Sequence, residues 1–580
     1  MSRRPSRKLS QIVRYLTRRS VTGQSENGPP KVELPGQGRN SEVYLVTDAS
    51  GKRWVLRAFR QACACREYST LLKQFAAKEL PVSRPLWSDM NLATFFPEIT
   101  GSYLGMGTEF IQAPSELMNC CTRGRSGGTS MDKREVSMRT ARTEINYSAL
   151  VQEDRVHGSA YTDPDIFADE MSKIFHRGWV YVGHSSEVPQ PGDFRVTTIG
   201  QQSVIMVRDE DGQVQLLMNR CAHRANAVCQ TERGNTGLFR CAYHGWTYRT
   251  NGDLQGVTYQ DRYDESFRKQ DYGLRKVPRV EMYRGFIFGS LNPVGISLDE
   301  HLGQPVKEQI DLFTDLSPEG ELDVTAGVHK YGYRGNWKFQ VENGMDGYHP
   351  NFVHQTFFAS VRRRTGANLT DLFSSGSIGK TRDLGHGHVM LDFRPYNKTK
   401  GPGLRAVLPT TPGGQAYVDA LEKRYGKERS EEILIAGGTH LLVFPNLALI
   451  GVQIRVIRPL NVDETEVFLY PTLLKGVPLE MNAARLRGHE AFYGPAGGGA
   501  TDDLEMFERN QLGLSAQVDP WLLLARGLHK ESQDSDGTLT GQMTDEVTQR
   551  GIWRQWKKMM SQREEASDRQ RARREIQPVR

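Results

Sequence analysis

Cysteine is scarce, with seven in 580 residues. That is too few to staple a chain of this length, and an odd number leaves a thiol unpaired, so a reducing compartment, the cytoplasm, is expected. Long apolar runs are missing too: no stretch approaches the roughly 20 residues that cross a bilayer, and no membrane contact is expected. The first 25 residues hold no acidic side chain and no apolar core. This argues against a secretory signal and leaves the Arg/Ser composition of an organellar transit peptide as a possible targeting signal. There is no internal repeat and no long low-complexity tract. The net charge of +7 gathers at the ends, in Met1–Arg19 and Arg563–Arg580. These read as solvated basic ends, so no nucleic-acid partner is expected.

What is present is a globular composition, 38% hydrophobic and 25% charged, in a chain long enough for about two to four domains. Residues 1–30 form a basic, flexible N-terminus. Strands at Glu42–Asp48 and Arg53–Phe59 and a helix near Cys65–Lys78 define a small α+β segment over 31–120. A Gly/Ser/Thr/Arg-rich linker covers 121–142. Short β-rich runs at Phe194–Ile199, Ser203–Arg208 and Val214–Asn219, broken by Pro191-Gly192 and Asp211-Gly212, predict an antiparallel β domain over 143–275. From 276 to 535 helical patterns at Leu298–Leu312, Gln415–Tyr425 and Glu480–Tyr493 mix with strands near Thr439–Arg458 and Thr465–Leu474. That region predicts an α+β domain, followed by a charged tail over 536–580.

Two constellations carry chemistry. Cys221-Ala-His223, seventeen residues, and Cys241-Ala-Tyr-His244 present two thiolates and two imidazoles on paired short loops. This is the ligand set of a Rieske [2Fe–2S] cluster, in which two His replace two Cys on one iron. A Cys₂His₂ zinc site takes the same atoms, but zinc fingers pair Cys with Cys and His with His. Cys229 lies off the spacing and reads as a small buried side chain.

Downstream, Asn343-Gly344-Met345-Asp346-Gly347-Tyr348-His349 is followed after four residues by His354. Two histidines and a distant carboxylate make the facial triad of a non-haem Fe(II) oxygenase. On an ideal helix His349 and His354 point about 140° apart, so the helix must distort, and Pro350 supplies a cause. Asp346, three residues before His349, shares its helical face and can contact the imidazole from behind. The third ligand is sought after the Gly-rich Gly494–Gly499, where an acidic pair opens a helix; Asp503 is the first choice and Asp502 the second.

With the strings His244-Gly245-Trp246-Thr247, Tyr283-Arg284-Gly285-Phe286, Gly289-Ser290-Leu291-Asn292-Pro293, Asn336-Trp337-Lys338 and Glu342-Asn343-Gly344, the chain resembles the large subunit of Rieske aromatic-ring-hydroxylating dioxygenases, in the benzoate and anthranilate branch. The likeness spans about residues 143 to 530. It implies a Rieske β domain plus a helix-grip-like catalytic domain, with Cys221, His223, Cys241 and His244 on the cluster and His349, His354 and Asp503 on Fe(2+). Asn343 and Asp346 are expected to serve catalysis, Asp346 by linking the cluster of one subunit to the iron of its neighbour. The implied partners are a reductase or ferredoxin, O2, a benzoate-like aromatic acid, two further copies in a homotrimer and, in some relatives, a small β subunit. The implied reaction is cis-dihydroxylation, with single hydroxylation or demethylation as the alternative. One departure stands out: Gly498-Gly499-Ala500 replaces a segment that often carries a bulkier residue.

The N-terminal segment resembles the N-lobe of aminoglycoside-phosphotransferase-like kinases, through Gly36-Gln37-Gly38-Arg39-Asn40-Ser41, Trp54-Val55-Leu56-Arg57 and Glu67. No catalytic-base loop or metal-binding Asp motif follows before the β domain, so phosphoryl transfer lacks its machinery. Met131 stands where an ordinary large subunit could begin. Three other features tempt. His386-Gly387-His388 reads as one face of a strand, Arg362-Arg363-Arg364 as a solvated face that could otherwise meet a substrate carboxylate, and His440 as a structural histidine.

Overall fold

The catalytic half centres on one nine-stranded antiparallel sheet. The computed structural model describes residues 31–37, 41–47, 53–59, 145–366, 368–399, 408–437 and 440–562. The chain divides into two units, 1–142 and 143–580. In the first, strands Lys31–Gln37, Ser41–Thr47 and Arg53–Phe59 form a three-stranded antiparallel sheet with a bulge between Glu33 and Gly36. The expected helix at Cys65–Lys78 and the linker 121–142 lie outside the described residues.

The second unit opens with a β domain. Strands Asp193–Ile199, Gln202–Arg208, Val214–Met218 and Arg233–Asn235 form one sheet, and Leu238–Arg240, Thr247–Arg249 and Leu254–Gly256 form another. Between them lies a small core of Phe194, Ile205, Val207, Leu217, Trp246 and Tyr248, which also takes in Cys221 and Cys241. Both cysteines thus sit on the buried side of their loops.

The catalytic domain is built on nine strands, in chain order β1 (His329–Tyr333), β2 (Lys380–Asp383), β3 (Val389–Asp392), β4 (His440–Val443), β5 (Leu447–Ile450), β6 (Gln453–Asn461), β7 (Glu464–Pro471), β8 (Ser532–Gln533) and β9 (Leu539–Gln542). Their spatial order is β1-β7-β6-β5-β4-β3-β2-β9-β8. Leu441 and Val443 enter one core while Leu442 and Phe444 enter the other. A sheet covered on both faces needs no polar side to its strands, which is why Leu441–Phe444 and Leu447–Ile450 read as unbroken apolar runs.

Six helices matter for the site: α1 (Trp337–Asn343), α2 (Pro350–Val353), α3 (Gln355–Thr365), α4 (Leu479–Tyr493), α5 (Ala500–Gly513) and α6 (Val547–Ser561). The sheet grips α6, whose Ile552, Trp553, Trp556 and Met560 are buried in the core that also takes α1. The charged tail expected from residue 536 therefore begins too early: β9 and α6 belong to the folded domain. Its Arg and Lys residues alternate with an apolar stripe, and burial of two indoles on that stripe outweighs the polar composition.

A buried polar network locks α1 to α6. Glu170 accepts from Lys338 Nζ at 2.6 Å, Trp337 Nε1 at 2.9 Å and Trp556 Nε1 at 2.6 Å. Asn336 caps α1 by accepting from the Lys338 amide at 3.1 Å, and its own amide donates to the Tyr161 and Val462 carbonyls. The Asn336-Trp337-Lys338 string is thereby explained by folding, and it holds the helix that presents Asn343.

Candidate active site

The first site rests on twin turns. In each, the residue four positions after the cysteine has positive φ, Ala225 at 60° and Gly245 at 72°, and its amide donates to the cysteine carbonyl at 3.0 Å. The two loops bring His223 and His244 within 4.6 Å, ring centroid to ring centroid, and His223 stacks on Trp246 at 4.9 Å. Cys221 Sγ lies 3.1 Å from the Tyr248 hydroxyl. A Cβ at residue 245 would stand 2.8 Å from Thr258 Oγ1, so glycine serves both the turn and the close approach. The two thiols are free and buried, and His223 Nδ1 is buried without a partner. Paired thiolates on the core side and paired imidazoles on the rim suit a [2Fe–2S] group.

The second site gathers α1, α2 and α5. His349 Nε2 and His354 Nε2 lie 3.5 and 3.4 Å from the same oxygen, Asp503 Oδ1. The three donors cluster within 4.8 Å of one another. Asn343 Nδ2 lies 3.2 Å from Asp503 Oδ1 and 3.3 Å from His349 Nε2. Asp503 is in the first turn of α5, as expected, and is buried; Asp502 beside it is not part of the cluster. Burial pushes the Asp503 carboxyl up, while His349, Arg455 and Asn343 pull it down. Burial drives the His354 imidazole down to about 3, helped by the charge of His349, so it offers a lone pair. Two imidazoles and one carboxylate on a shared focus suit a divalent iron with open positions.

The local backbone differs from the expected kinked helix. His349 precedes α2, Pro350 is its first residue, and the break falls at His354, with φ −101° and ψ 23°. Pro at a first position leaves α2 intact, so the turn between the ligands comes from ending the helix rather than bending it at Pro350. Asp346 is likewise not helical. It reaches His349 through a turn, its Oδ1 accepting from the Tyr348 amide at 2.6 Å and its Oδ2 lying 3.6 Å from His349 Nδ1. A Cβ on Gly347 would meet the Met543 carbonyl oxygen at 2.0 Å; glycine lets this turn press against the end of β9. Burial opposes ionisation of Asp346, but the hydrogen bonds and charge of His349 hold its carboxyl below the usual range.

A cavity of about 200 Å³ opens over this cluster, walled by Phe357, Phe358, Phe373, Leu391 and Ile450. The run of glycines before α5 is explained by these aromatics. A Cβ at Gly499 would stand 2.2 Å from the Phe492 ring, and one at Gly498 would stand 2.8 Å from Phe357.

Two polar residues of the wall escape a sequence reading. Arg455 on β6 is 3% exposed, and its Nε is buried without a hydrogen-bond partner. Its guanidinium lies 5.4 Å from the Tyr493 ring centroid. Flanked by Ile454 and Val456, it carries no motif; a charge within a buried strand is the one signal. His440 also lines the cavity, against its reading as a structural histidine, and burial with the nearby Arg455 charge lowers it to about 3. Conversely, His386-Gly387-His388 is not a strand face but the turn before β3, with His386 at φ 52°. His388 there accepts from the Phe444 amide at 3.0 Å, and its Nε2 lies 2.8 Å from the His301 carbonyl. Arg362, Arg363 and Arg364 end α3 on its solvent side.

A cysteine–histidine loop pair on a small β domain, joined to a two-histidine, one-carboxylate cluster on a helix-grip sheet, defines a Rieske non-haem iron oxygenase. Residues 178–278 match the Rieske [2Fe-2S] domain family and residues 322–562 the ring hydroxylating alpha subunit catalytic domain family. The chain is 37% identical to the 2-halobenzoate 1,2-dioxygenase large subunit of Burkholderia cepacia, over 66% of this chain and 83% of that one. It is 33% identical to the anthranilate 1,2-dioxygenase large subunit of Acinetobacter baylyi, over 69% and 88%. Among solved structures, naphthalene 1,2-dioxygenase with indole bound superposes with a TM-score of 0.62 at 27% identity, covering 72% of this chain and 95% of that one. The chain belongs to the large (alpha) subunits of the Rieske ring-hydroxylating dioxygenases. Among the described residues no helix is long and apolar enough to cross a membrane.

Proposed function

We propose that this large subunit uses O2 and electrons from a separate reductase to cis-dihydroxylate the ring of a benzoate-like aromatic acid. The observation that carries the acid is Arg455, a buried guanidinium whose Nε has no hydrogen-bond partner, in a cavity wall it shares with phenylalanines and the residues of the iron cluster. Asp503 supplies part of the opposing charge, but the buried Nε still lacks an acceptor, which is costly, and a planar fork matches a carboxylate. The names of the halobenzoate, anthranilate and toluate dioxygenase relatives support the same class.

In this reading Cys221, Cys241, His223 and His244 hold the [2Fe–2S] cluster, and His349, His354 and Asp503 hold Fe(2+). When bound, the cluster supplies electrons and the mononuclear iron activates oxygen. The Asp346 charge, 3.6 Å from His349 Nδ1, favours the proton on that nitrogen and so leaves Nε2 as the donor atom. Asn343 steadies the Asp503 carboxylate from the other side. The aromatic walls exclude water and lie against the ring. Both atoms of O2, two electrons and two protons go into a cis-diol.

Tyr243, at the tip of the second cysteine loop, is 56% exposed, which supports a neighbouring copy docking there. A homotrimer, with the cluster of one copy facing Asp346 of the next, and a small β subunit alongside complete the proposed assembly in the cytoplasm. The test is oxygen isotope labelling with purified subunit, reductase and a panel of benzoates. A diol carrying both labelled atoms is expected; a product with one labelled oxygen would make the enzyme a monooxygenase.

A further inference from the structure

A second cluster of two imidazoles and a carboxylate lies outside the iron site. His329 is the first residue of the edge strand β1, and His489 and Glu490 lie in the last turns of α4. Their donor atoms fall within 4.8 Å of one another. His329 Nε2 meets Glu490 Oε1 at 2.6 Å. The rings of His329 and His489 are 5.3 Å apart, centroid to centroid, against 5.2 Å for His349 and His354.

His489 is prepared on its far side. It is 2% exposed, and its Nε2 pairs with Gln453 Oε1 at 2.8 Å, which leaves Nδ1 buried with no partner. An imidazole tethered through one nitrogen, with the other bare, is how proteins aim a metal-binding histidine. Burial, with the charge of His329 as a smaller cause, lowers its pKa to about 4, so the ring is neutral. A simple ion pair between His329 and Glu490 would need no second imidazole beside it, nor an orphaned buried nitrogen.

We propose that His329, His489 and Glu490 form a second metal site that takes a borderline divalent cation such as zinc. Two imidazoles and a carboxylate, with water in the fourth position, are a zinc set of the kind that keeps one position open. Glu490 is half exposed, with its side chain 52% accessible, so the carboxylate has room to turn from its hydrogen bond to coordination. The site shares no residue with the iron cluster. It clips α4 to the sheet just before Phe492 and Tyr493, which line the cavity, and His489 itself packs on Tyr493 at 5.4 Å. The clip would therefore fix one wall of the substrate cavity.

The test uses the full-length enzyme already loaded with iron and sulfide, so that the iron site does not compete. Zinc is titrated by equilibrium dialysis with elemental analysis, and cobalt(II) serves as a visible reporter. One additional equivalent of zinc per chain is expected, with a rise in the thermal midpoint. His329→Asn and Glu490→Gln, both at accessible positions, should each weaken uptake at least about tenfold, the usual scale for losing a ligand or its support, and abolish the thermal rise. Their iron content, sulfide content and cluster spectrum should match the parent. No extra equivalent in the parent enzyme, or equal uptake by the parent and both variants, would overturn the site and leave an ordinary His–Glu pair.

Discussion

Asn343 donates to Asp503, its Nδ2 lying 3.2 Å from the carboxylate oxygen that both site histidines also approach. One amide thus sets where that oxygen sits. Asn343→Ala should weaken iron retention about tenfold, the scale seen when a partner behind a metal ligand is removed, while leaving the cluster untouched. Iron per chain after a timed chelator challenge checks this. Retention equal to the parent would show that Asp503 is held by its helix alone.

Asp346 offers a sharper separation of roles. In Asp346→Asn the side-chain carbonyl can still accept from the Tyr348 amide, so the turn should survive, but the charge beside His349 is lost. Turnover should fall by at least about tenfold with iron and sulfide unchanged. Full turnover at full metal content would remove Asp346 from the electron path and from the orientation of His349.

Arg455→Met keeps the length and apolar body of the side chain and removes the fork. Charge-assisted hydrogen bonds contribute roughly 1.5–3 kcal/mol, so kcat/KM for a benzoate should drop by about 10- to 100-fold. Neutral ring substrates of similar size should be spared or improved. A uniform loss across acids and neutral rings would mean that Arg455 supports the Asp503 charge rather than the substrate.

Much of this architecture is legible in the sequence. The cysteine–histidine spacing, His349, His354 and the helix-opening Asp503 are local signals, and the helices Gly414–Tyr425 and Leu479–Tyr493 start and stop within one residue of their periodic patterns, while the pattern at Leu298–Leu312 covers two helical pieces broken at Gly303. The parts that escape such a reading depend on contacts distant in sequence. Arg455 becomes a cavity residue through the register of β6 against β5 and β7, which pairs it with Ala448 and Leu469. The stripe of α6 is obscured because Arg550, Arg554, Lys557 and Lys558 interrupt it. The turn at Asp346 depends on Gly347 meeting Met543 at the end of β9, nearly two hundred residues later.

Glu170 and Lys338 set the stability of the catalytic domain. Their 2.6 Å pair is almost fully buried, with side-chain exposures of 0% and 1%. Removing one partner of such a pair strands the other, at about 3–5 kcal/mol. Glu170→Ala should lower the unfolding midpoint sharply. The double variant Glu170→Gln with Lys338→Met should recover much of the loss, since no charge is then stranded. Equal losses in both would mean that the indole hydrogen bonds, and not the ion pair, dominate.

Glu342 gives the fold a pH dependence of definite sign. Burial raises its carboxyl to about 7, against the partial pull of hydrogen bonds from Tyr161 and Trp553, which reach Oε1 at 2.7 and 2.5 Å. The unfolded chain ionises this group near the ordinary glutamate value, about 4.3. Between those pH values the native state binds the extra proton, so its contribution is fully present below about pH 4 and declines as pH rises towards 7. The whole change is at most about 4 kcal/mol. Denaturant midpoints measured from pH 4.5 to 7.5 should therefore fall more steeply for the parent than for Glu342→Gln, whose amide cannot ionise. Parallel curves would place the Glu342 proton elsewhere in the Glu170–Lys338–Glu342 network, and the two hydrogen bonds from Tyr161 and Trp553 would then be serving a permanent carboxylate.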